Sequence, residues 1–396
     1  RLLEAAATEL DGTSFDVGNP AFDSDDASLV RVATRDWKRA TKIPADLVAR
    51  LAHASSMGQQ AWQQAREVSD FSVFKSHLEA IVELTGEKAE ALGYKDRIYD
   101  PLLAEFEPGI STAEIESLFT TLRERLIPIV QELTEETSSS GITDYESPPT
   151  AQSQIALPPL DRSFDEAAQW DFGVAVIKDF GFDFNHGRQD RSAHPFTTAF
   201  SVADVRLTTR IHEDFLPAGL FGTLHECGHG LYEQGFAPEL ARTPLADGAS
   251  LGLHESQSRL WEILIGRSRP FWTHYFPKLS ESFPKTLDGI DPDAFYRAIN
   301  VVRPTLIRVE SDEVTYNLHI MLRFEIENAL LEGRVLVEDL PDVWNDGMER
   351  YLGIVPDSDA NGVLQDIHWS MGAIGYFPTY TLGNLMSSQI FTRLRE

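Results

Sequence analysis

Residues 224–229 read Leu-His-Glu-Cys-Gly-His and contain the pattern His-Glu-x-x-His. On an α-helix, His225 and His229 lie on one face, so both imidazoles can bind one Zn²⁺ ion. Glu226 would then lie beside the ion, where it can act as a general base toward water. Apolar residues surround the motif, which favours a packed catalytic helix over a surface helix with two solvated histidines.

A catalytic zinc site needs a third protein ligand, and the candidates lie in a second stretch downstream. Leucines recur at helical spacing over residues 253–264 and predict an amphipathic helix. Glu255 lies on its buried side, where a carboxylate is unusual without a partner, and His-His-Glu is a common catalytic zinc set. We therefore predict Glu255 as the third ligand and keep His254 and Glu262 as competing candidates.

Five further motifs accompany the zinc helix. They are, in order, HPF at 194–196, DVRLT at 204–208, HESQ at 254–257, IRVESD at 307–312 and GVLQDIHW at 362–369. In kind and order these motifs resemble those of the carboxypeptidase Taq family of zinc metallocarboxypeptidases, and the resemblance spans essentially the whole chain. It implies that the Glu of HESQ, Glu255, is the third zinc ligand.

The resemblance implies a mainly α fold of the zincin type, similar to neurolysin and angiotensin-converting enzyme. Two helical halves would flank a deep substrate groove, with a small β-sheet next to the zinc helix. It also implies a single catalytic domain over residues 1–396, one Zn²⁺ per chain with Co²⁺ as an expected substitute, and a homodimer. Family members are longer at both ends, so we expect this chain to lack a helical piece at each end.

The implied reaction removes C-terminal amino acids from peptides, so the site must bind a free carboxylate. Arginine suits this task because its planar fork matches a carboxylate. Arg308 is our first candidate, with Gln365 as a second group that could hold the carboxylate, and an ion pair with Glu310 or Asp312 is the structural alternative for Arg308. Arg206 is a rival for substrate binding, although an acidic neighbour two residues before it offers a simpler partner.

The tetrahedral intermediate needs a hydrogen-bond donor besides the metal. His368, Tyr376 and Tyr380 are the candidates, and aromatic packing is the alternative role for the two tyrosines. His194 follows a polar loop and precedes a proline, which restricts its backbone. We expect His194 to line the cleft and contact the substrate, or else to act as a structural cap.

The chain departs from a common zinc-peptidase pattern beside the third ligand. Many such enzymes carry an acid four residues after the glutamate ligand, and this acid orients a zinc histidine. The corresponding residue here is Arg259. The partner that fixes the imidazole tautomer is therefore expected elsewhere in the chain.

Two other functions are compatible with parts of this sequence. A zinc oligoendopeptidase shares the zinc helix but has no need for Arg308, and it would cleave peptides with an amidated C-terminus. A catalytically inert peptide-binding groove would show loss of Glu226 or of a zinc ligand. None of these residues is lost, which favours the carboxypeptidase.

Composition indicates which classes of partner and which cellular compartment suit this chain. The 396 residues include 62 acidic against 34 basic side chains, a net charge of −28, which disfavours nucleic acid and anionic membranes. The chain has no run of about 18 apolar residues, so no membrane span is predicted. The single cysteine, Cys227, excludes a disulfide within the chain and fits a cytoplasmic location. Because it points away from the histidine face, we predict a packed thiol rather than a ligand.

The remaining sequence predicts helices with a few interruptions. Ser, Gly and Pro dominate residues 137–160, which predicts a surface loop between helical blocks. Near-alternating apolar residues over 196–211 predict strands, with a tight turn or bulge at 203–204. Helical spacing continues from residue 298 to 324, and a last helix is predicted from Thr379.

Overall fold

The computed structural model describes residues 2–9, 21–139, 160 and 162–396 of the chain. The predicted mainly helical fold is confirmed. The α-helices of this part are α1 (Leu2–Glu9), α2 (Asp25–Lys42), α3 (Ala45–Val68), α4 (Ser72–Leu92), α5 (Asp100–Leu103), α6 (Thr112–Ser139), α7 (Glu166–Asp179), α8 (Leu216–Gln234), α9 (Leu251–Arg259), α10 (Arg269–Ser282), α11 (Pro292–Ile299), α12 (Tyr316–Leu331), α13 (Leu340–Leu352) and α14 (Pro378–Leu394). Within these described ranges, no helix combines the length and the apolar character that crossing a membrane requires.

The described residues form two hydrophobic cores. The first joins α3, α4, α6, α12, α13 and α14, with Trp344 and Phe377 among its buried side chains. The second joins α7, α8, α10 and α11 with the sheet, and it contains Trp272 and Cys227. Burial raises the pKa of the Cys227 thiol. This cysteine is therefore a packed thiol, as predicted, and the two cores correspond to the two expected helical halves.

A three-stranded sheet lies against α8, the helix that carries the His-Glu-x-x-His motif and is called the zinc helix. Its strands are β1 (Gly187–Arg191), β2 (Thr197–Ser201) and β3 (Asp204–Thr209), in the order β1-β3-β2. The predicted strands β2 and β3 are confirmed as an antiparallel pair with an irregularity between Ala199 and Ser201. Strand β1, which is parallel to β3, was not predicted, because its sequence GRQDR does not alternate between apolar and polar residues.

Glycines let three helices approach one another closely at the predicted site. A Cβ atom on Gly228 of α8 would lie 2.5 Å from the Cα of Ser258 in α9. A Cβ atom on Gly383 of α14 would lie 2.7 Å from the Cγ of Glu255. Because neither position has room for a side chain, α9 can pack directly between α8 and α14, with Glu255 held at the crossing.

Two predicted boundaries are wrong. Helix α6 continues through Ser139, so the first three residues of the predicted loop 137–160 are helical; residues 140–159 lie outside the described part. The predicted helical run 298–324 is also interrupted, because α11 ends at Ile299 and α12 begins at Tyr316. Pro304 lies in this gap, where it cannot donate a helical hydrogen bond. The last helix was predicted to within one residue.

Candidate metal centre

Helices α8 and α9 bring three potential metal ligands together. The Nε2 atoms of His225 and His229 lie 3.7 Å and 3.5 Å from Oε2 of Glu255. Zinc ligands at about 2.0–2.1 Å in a tetrahedron are about 3.3–3.4 Å apart. Within the described residues, this trio is also the one group of His, Cys, Asp or Glu side chains whose atoms converge closely enough for a metal ion.

Glu262 orients the first of these histidines. Its Oε2 lies 2.8 Å from Nδ1 of His225, and a carboxylate that accepts this N–H leaves the Nε2 lone pair for a metal. Arg259 donates to Glu255 at 2.8 Å and to Glu262 at 3.3 Å. Burial alone would raise the pKa of Glu262, but Arg259 and the hydrogen bond from His225 lower it to about 2.

This geometry favours Glu262 as the orienting carboxylate that the sequence left unplaced, rather than as a third ligand. It lies in the π-helical segment Leu260–Ile265 that extends α9. A signal for this role was present, because residues 255 and 262 are two helical turns apart and share a face. The choice between ligand and supporting residue depends on how closely α8 and α9 pack.

His254 supports the second histidine in the same way. Its Nδ1 lies 2.6 Å from Nδ1 of His229, and its Nε2 lies 2.7 Å from Oε1 of Glu233. If His254 donates its Nε2–H to Glu233, its Nδ1 can accept the proton of His229. His229 then keeps its Nε2 lone pair for a metal. These contacts favour His254 as a supporting residue rather than as a competing ligand.

Glu226 is held by the neighbouring sheet. Its side chain is buried, and Oε2 accepts a hydrogen bond of 2.7 Å from the hydroxyl of Thr197 in β2. Burial raises the pKa of Glu226, which is a property expected of a general base that works near neutral pH. Sequence reasoning missed Thr197, although it directly follows the HPF motif.

His368, Tyr376 and Tyr380 form an aromatic cluster beside the ligands. Nε2 of His368 lies 3.2 Å from the hydroxyl of Tyr380, and the two tyrosine rings are 5.3 Å apart. Burial lowers the pKa of His368 to about 4, so its imidazole is neutral at pH 7. Burial and the charge of Glu255 raise the pKa of Tyr376 to about 12. Its hydroxyl therefore keeps its proton and can donate it in a hydrogen bond.

Arg308 lies in a short 3-10 turn, Arg308–Glu310, rather than in a long helix. Its Nε and one terminal nitrogen donate to Oδ1 of Asp366 at 3.0 Å and 2.8 Å, and the other terminal nitrogen donates to Tyr316 at 2.8 Å. The predicted alternative of an ion pair with a neighbour in its own motif is wrong, because the partner is Asp366. Since a guanidinium has five N–H donors, two remain for another acceptor.

Gln365 does not offer its amide to a substrate. Its oxygen accepts from the backbone N–H of Arg308 at 2.9 Å and from Arg323 at 2.8 Å. Its nitrogen donates to three backbone carbonyls, including that of Leu306 at 3.0 Å. These contacts favour a role for Gln365 in positioning the turn that carries Arg308 over the predicted role in binding the terminal carboxylate.

The contacts of Arg206 also disfavour its predicted role in substrate binding. Its guanidinium makes two hydrogen bonds of 2.9 Å with Asp204 and lies 4.7 Å from the centre of the Phe200 ring. Leu207 faces Gly230 of the zinc helix, and adjacent strand residues point to opposite faces. Arg206 therefore points away from the zinc helix and has its own carboxylate partner.

The HPF segment packs on the zinc helix. A Cβ atom on Gly222 of α8 would lie 3.7 Å from Cγ of Pro195, which places the preceding residue, His194, at the edge of α8. Its side chain is exposed. This position is compatible with a role for His194 in lining a cleft.

Comparisons with known proteins agree with this geometry. All of residues 1–396 match the family model described as carboxypeptidase Taq (M32) metallopeptidase. Carboxypeptidase 1 of Bacillus subtilis (strain 168) is 40% identical over 372 residues, which cover 94% of this chain and 71% of that protein. Thermostable carboxypeptidase 1 of Thermus thermophilus is 43% identical over 380 residues, which cover 93% of this chain and 71% of that protein.

Solved structures of carboxypeptidases also resemble this chain. A Pyrococcus furiosus carboxypeptidase structure, described as Apo-Mg, superimposes with a TM-score of 0.89 at 37% identity and covers 100% of this chain and 74% of that one. The M32 carboxypeptidase from Deinococcus radiodurans R1 gives 0.87 at 38% identity, with 99% and 74% coverage. The mainly helical fold of the carboxypeptidase Taq family, inferred from the sequence motifs, is thereby confirmed.

Proposed function

The chain belongs to the carboxypeptidase Taq (M32) family of metallopeptidases and is a peptide hydrolase, and we propose that it removes C-terminal amino acids from peptides with one bound zinc ion. One observation carries the proposal: His225, His229 and Glu255 converge while both imidazoles have partners that free Nε2. Residues 1–396 would act as one catalytic domain.

The three side chains fit a zinc ion by chemistry as well as by distance. Two imidazoles and one carboxylate form a common catalytic zinc set that leaves a fourth position open. When bound, such an ion polarises the scissile carbonyl and makes water more acidic. Co²⁺ prefers similar ligands and is expected to substitute.

The protein groups around the metal then have distinct tasks. Glu226 takes a proton from the attacking water and returns it to the leaving amine; the hydroxyl of Thr197 holds one carboxylate oxygen and leaves the other for this transfer. Tyr376 donates a hydrogen bond to the developing oxyanion; after burial, the charge of Glu255 is the largest cause that raises its pKa, which supports a position close to that ligand. Tyr380 and His368 orient Tyr376.

Arg308 would bind the terminal carboxylate with its two remaining donors, while His194 would line the cleft. Arg308 lies 4.9 Å from the ring centre of Tyr380, so it adjoins the aromatic cluster. Asp366 and Tyr316 hold its guanidinium in one orientation, which reduces the entropy lost when a substrate binds.

Replacing Arg308 by lysine should raise KM for peptides with a free C-terminus. Lysine keeps the charge but loses the planar fork. Loss of a hydrogen bond to a charged group costs on the order of 1.5–3 kcal/mol, roughly 10- to 100-fold in KM. Residual cleavage of amidated peptides should be nearly unchanged, because these peptides never make that bond.

Arg334→Lys is the control for this variant. Arg334 is exposed and pairs with Glu332 at 2.7 Å. Its replacement should leave KM unchanged for both the free-ended and the amidated peptides. If Arg308→Lys affects both substrates equally in a folded protein, Arg308 has only a structural role.

Peptides that differ only at the C-terminus distinguish this proposal from its rivals. We expect stepwise loss of single residues from a free-ended peptide and almost no cleavage of the amidated form, read by mass spectrometry. Internal cleavage of both peptides would favour an oligoendopeptidase. Binding of both without cleavage would favour an inert groove.

We further propose that the protein is cytoplasmic and forms a homodimer. The single, buried cysteine supports a reducing compartment, and the dimer rests on the family resemblance. Cell fractionation and sedimentation velocity test these two proposals.

A further inference from the structure

Glu327 of α12 is a completely buried carboxylate with an unusual set of partners. Its Oε2 accepts from the hydroxyl of Tyr99 at 2.6 Å and from the backbone N–H of Gly375 at 3.1 Å. Its Oε1 accepts from the indole N–H of Trp369 at 3.0 Å. The side chain of Glu327 therefore links α12 to two segments that are distant in the sequence, one at Tyr99 and one at residues 369–375.

Two of these partners bracket the segment between the proposed active-site residues. Trp369 directly follows His368, and Gly375 directly precedes Tyr376. Gly375 has φ +100°, and a Cβ atom there would lie 2.8 Å from the backbone of Leu102. The segment 369–375 is therefore pinned at both ends by Glu327 and lies directly on α5.

We propose that Glu327 is a positioning residue for the peptidase reaction, whose carboxylate fixes segment 369–375 so that His368 and Tyr376 keep their places beside the metal ligands. This inference rests on the proposed function. Glu327 would contact neither the substrate nor the metal. It would act only through the residues at the two ends of the segment.

The charge of this carboxylate decides how many donors it can hold. Burial raises the pKa of Glu327 to about 7, against hydrogen bonds from Tyr99, Gly375 and Trp369 and the charge of Arg323, which lower it. Tyr99 and Arg323 are the titratable or charged groups that face it. A carboxylate accepts from all three donors, whereas the neutral acid, present below pH 7, carries a proton that must itself be donated.

Glu327→Gln imitates the neutral acid at every pH and gives a direct test. At pH 8 its kcat on a free-ended peptide should fall on the order of 10- to 100-fold, as expected for misplaced active-site groups, with little change in KM. At pH 6, below the pKa of about 7, most of the wild-type carboxyl is itself protonated, so the ratio of wild-type to variant kcat should fall toward one. A purely structural role would give a ratio that does not depend on pH.

Glu325→Gln is the matched control, two residues away on the same helix. Glu325 pairs with Arg350 and Tyr351 near the surface, and its replacement should leave kcat unchanged at both pH values. Tyr99→Phe is a second, nearly isosteric variant. It removes a hydrogen bond that favours the charged form, so the pH at which its kcat rises should shift upward.

Circular dichroism establishes that each variant folds, and Tyr99→Phe carries the test if Glu327→Gln does not fold. A ratio that stays constant from pH 6 to pH 8, wild-type kcat in Glu327→Gln at pH 8, or an unshifted profile in Tyr99→Phe would each overturn the inference. Absence of amino-acid release by the wild-type protein would instead contradict the proposed function itself.

Discussion

Glu226→Gln should abolish peptide hydrolysis while the protein keeps its metal. The amide has the size of the carboxylate and can still accept a hydrogen bond from Thr197, but it cannot take a proton from water. The expected loss of kcat is about 10²-fold or more, the usual contribution of a general base. Amino-acid release and metal content, measured on the same preparation, check the result.

Glu239→Gln is a suitable control for this variant. Glu239 is exposed in the short 3-10 turn Pro238–Leu240 that follows the zinc helix, so its replacement should leave activity and metal content unchanged. Near-full activity of Glu226→Gln with one bound metal would show that another group acts as the base.

Glu255→Ala should lower zinc affinity more than the replacement of any residue that only supports a ligand. It removes one of three protein ligands and leaves the partly buried Arg259 without its 2.8 Å acceptor. His254→Ala removes only the support of His229 and should weaken zinc binding by about 10- to 100-fold, as is typical for residues that orient metal ligands.

Competition with a chromogenic chelator measures both affinities. The expected order, from tightest to weakest, is wild type, His254→Ala and Glu255→Ala. If His254→Ala lost zinc while Glu255→Ala kept it, the assignment of ligand and support would have to be exchanged.

The histidine pair of the metal centre was predictable because its geometry is local, and Glu255 was predictable with the help of the family resemblance. Two histidines four residues apart share a helix face wherever the helix lies, and the His-Glu pair of HESQ recurs with the family's other motifs. The strands β2 and β3 were also predictable from a local pattern, because apolar and polar residues nearly alternate along them. For the histidine pair and for the strands, a short window of sequence contained the whole signal.

The supporting contacts were not predictable because they depend on packing between distant segments. Whether Glu262 and His254 bind a metal or orient its ligands is settled by ångström-scale distances between α8 and α9, which Gly228 permits. The partner of Arg308 is 58 residues away, at Asp366. The three partners of Glu327 come from two other regions of the chain.

Stoichiometric reconstitution tests the central claim most directly. Protein stripped of metal by a chelator is titrated with Zn²⁺, and release of the C-terminal residue from a free-ended peptide is measured at each step. We predict no activity without metal and a linear return of activity that reaches its plateau at one zinc ion per chain, with none in Glu255→Ala at the same zinc concentration. Full activity in the metal-free protein, or undiminished activity in Glu255→Ala, would contradict the account.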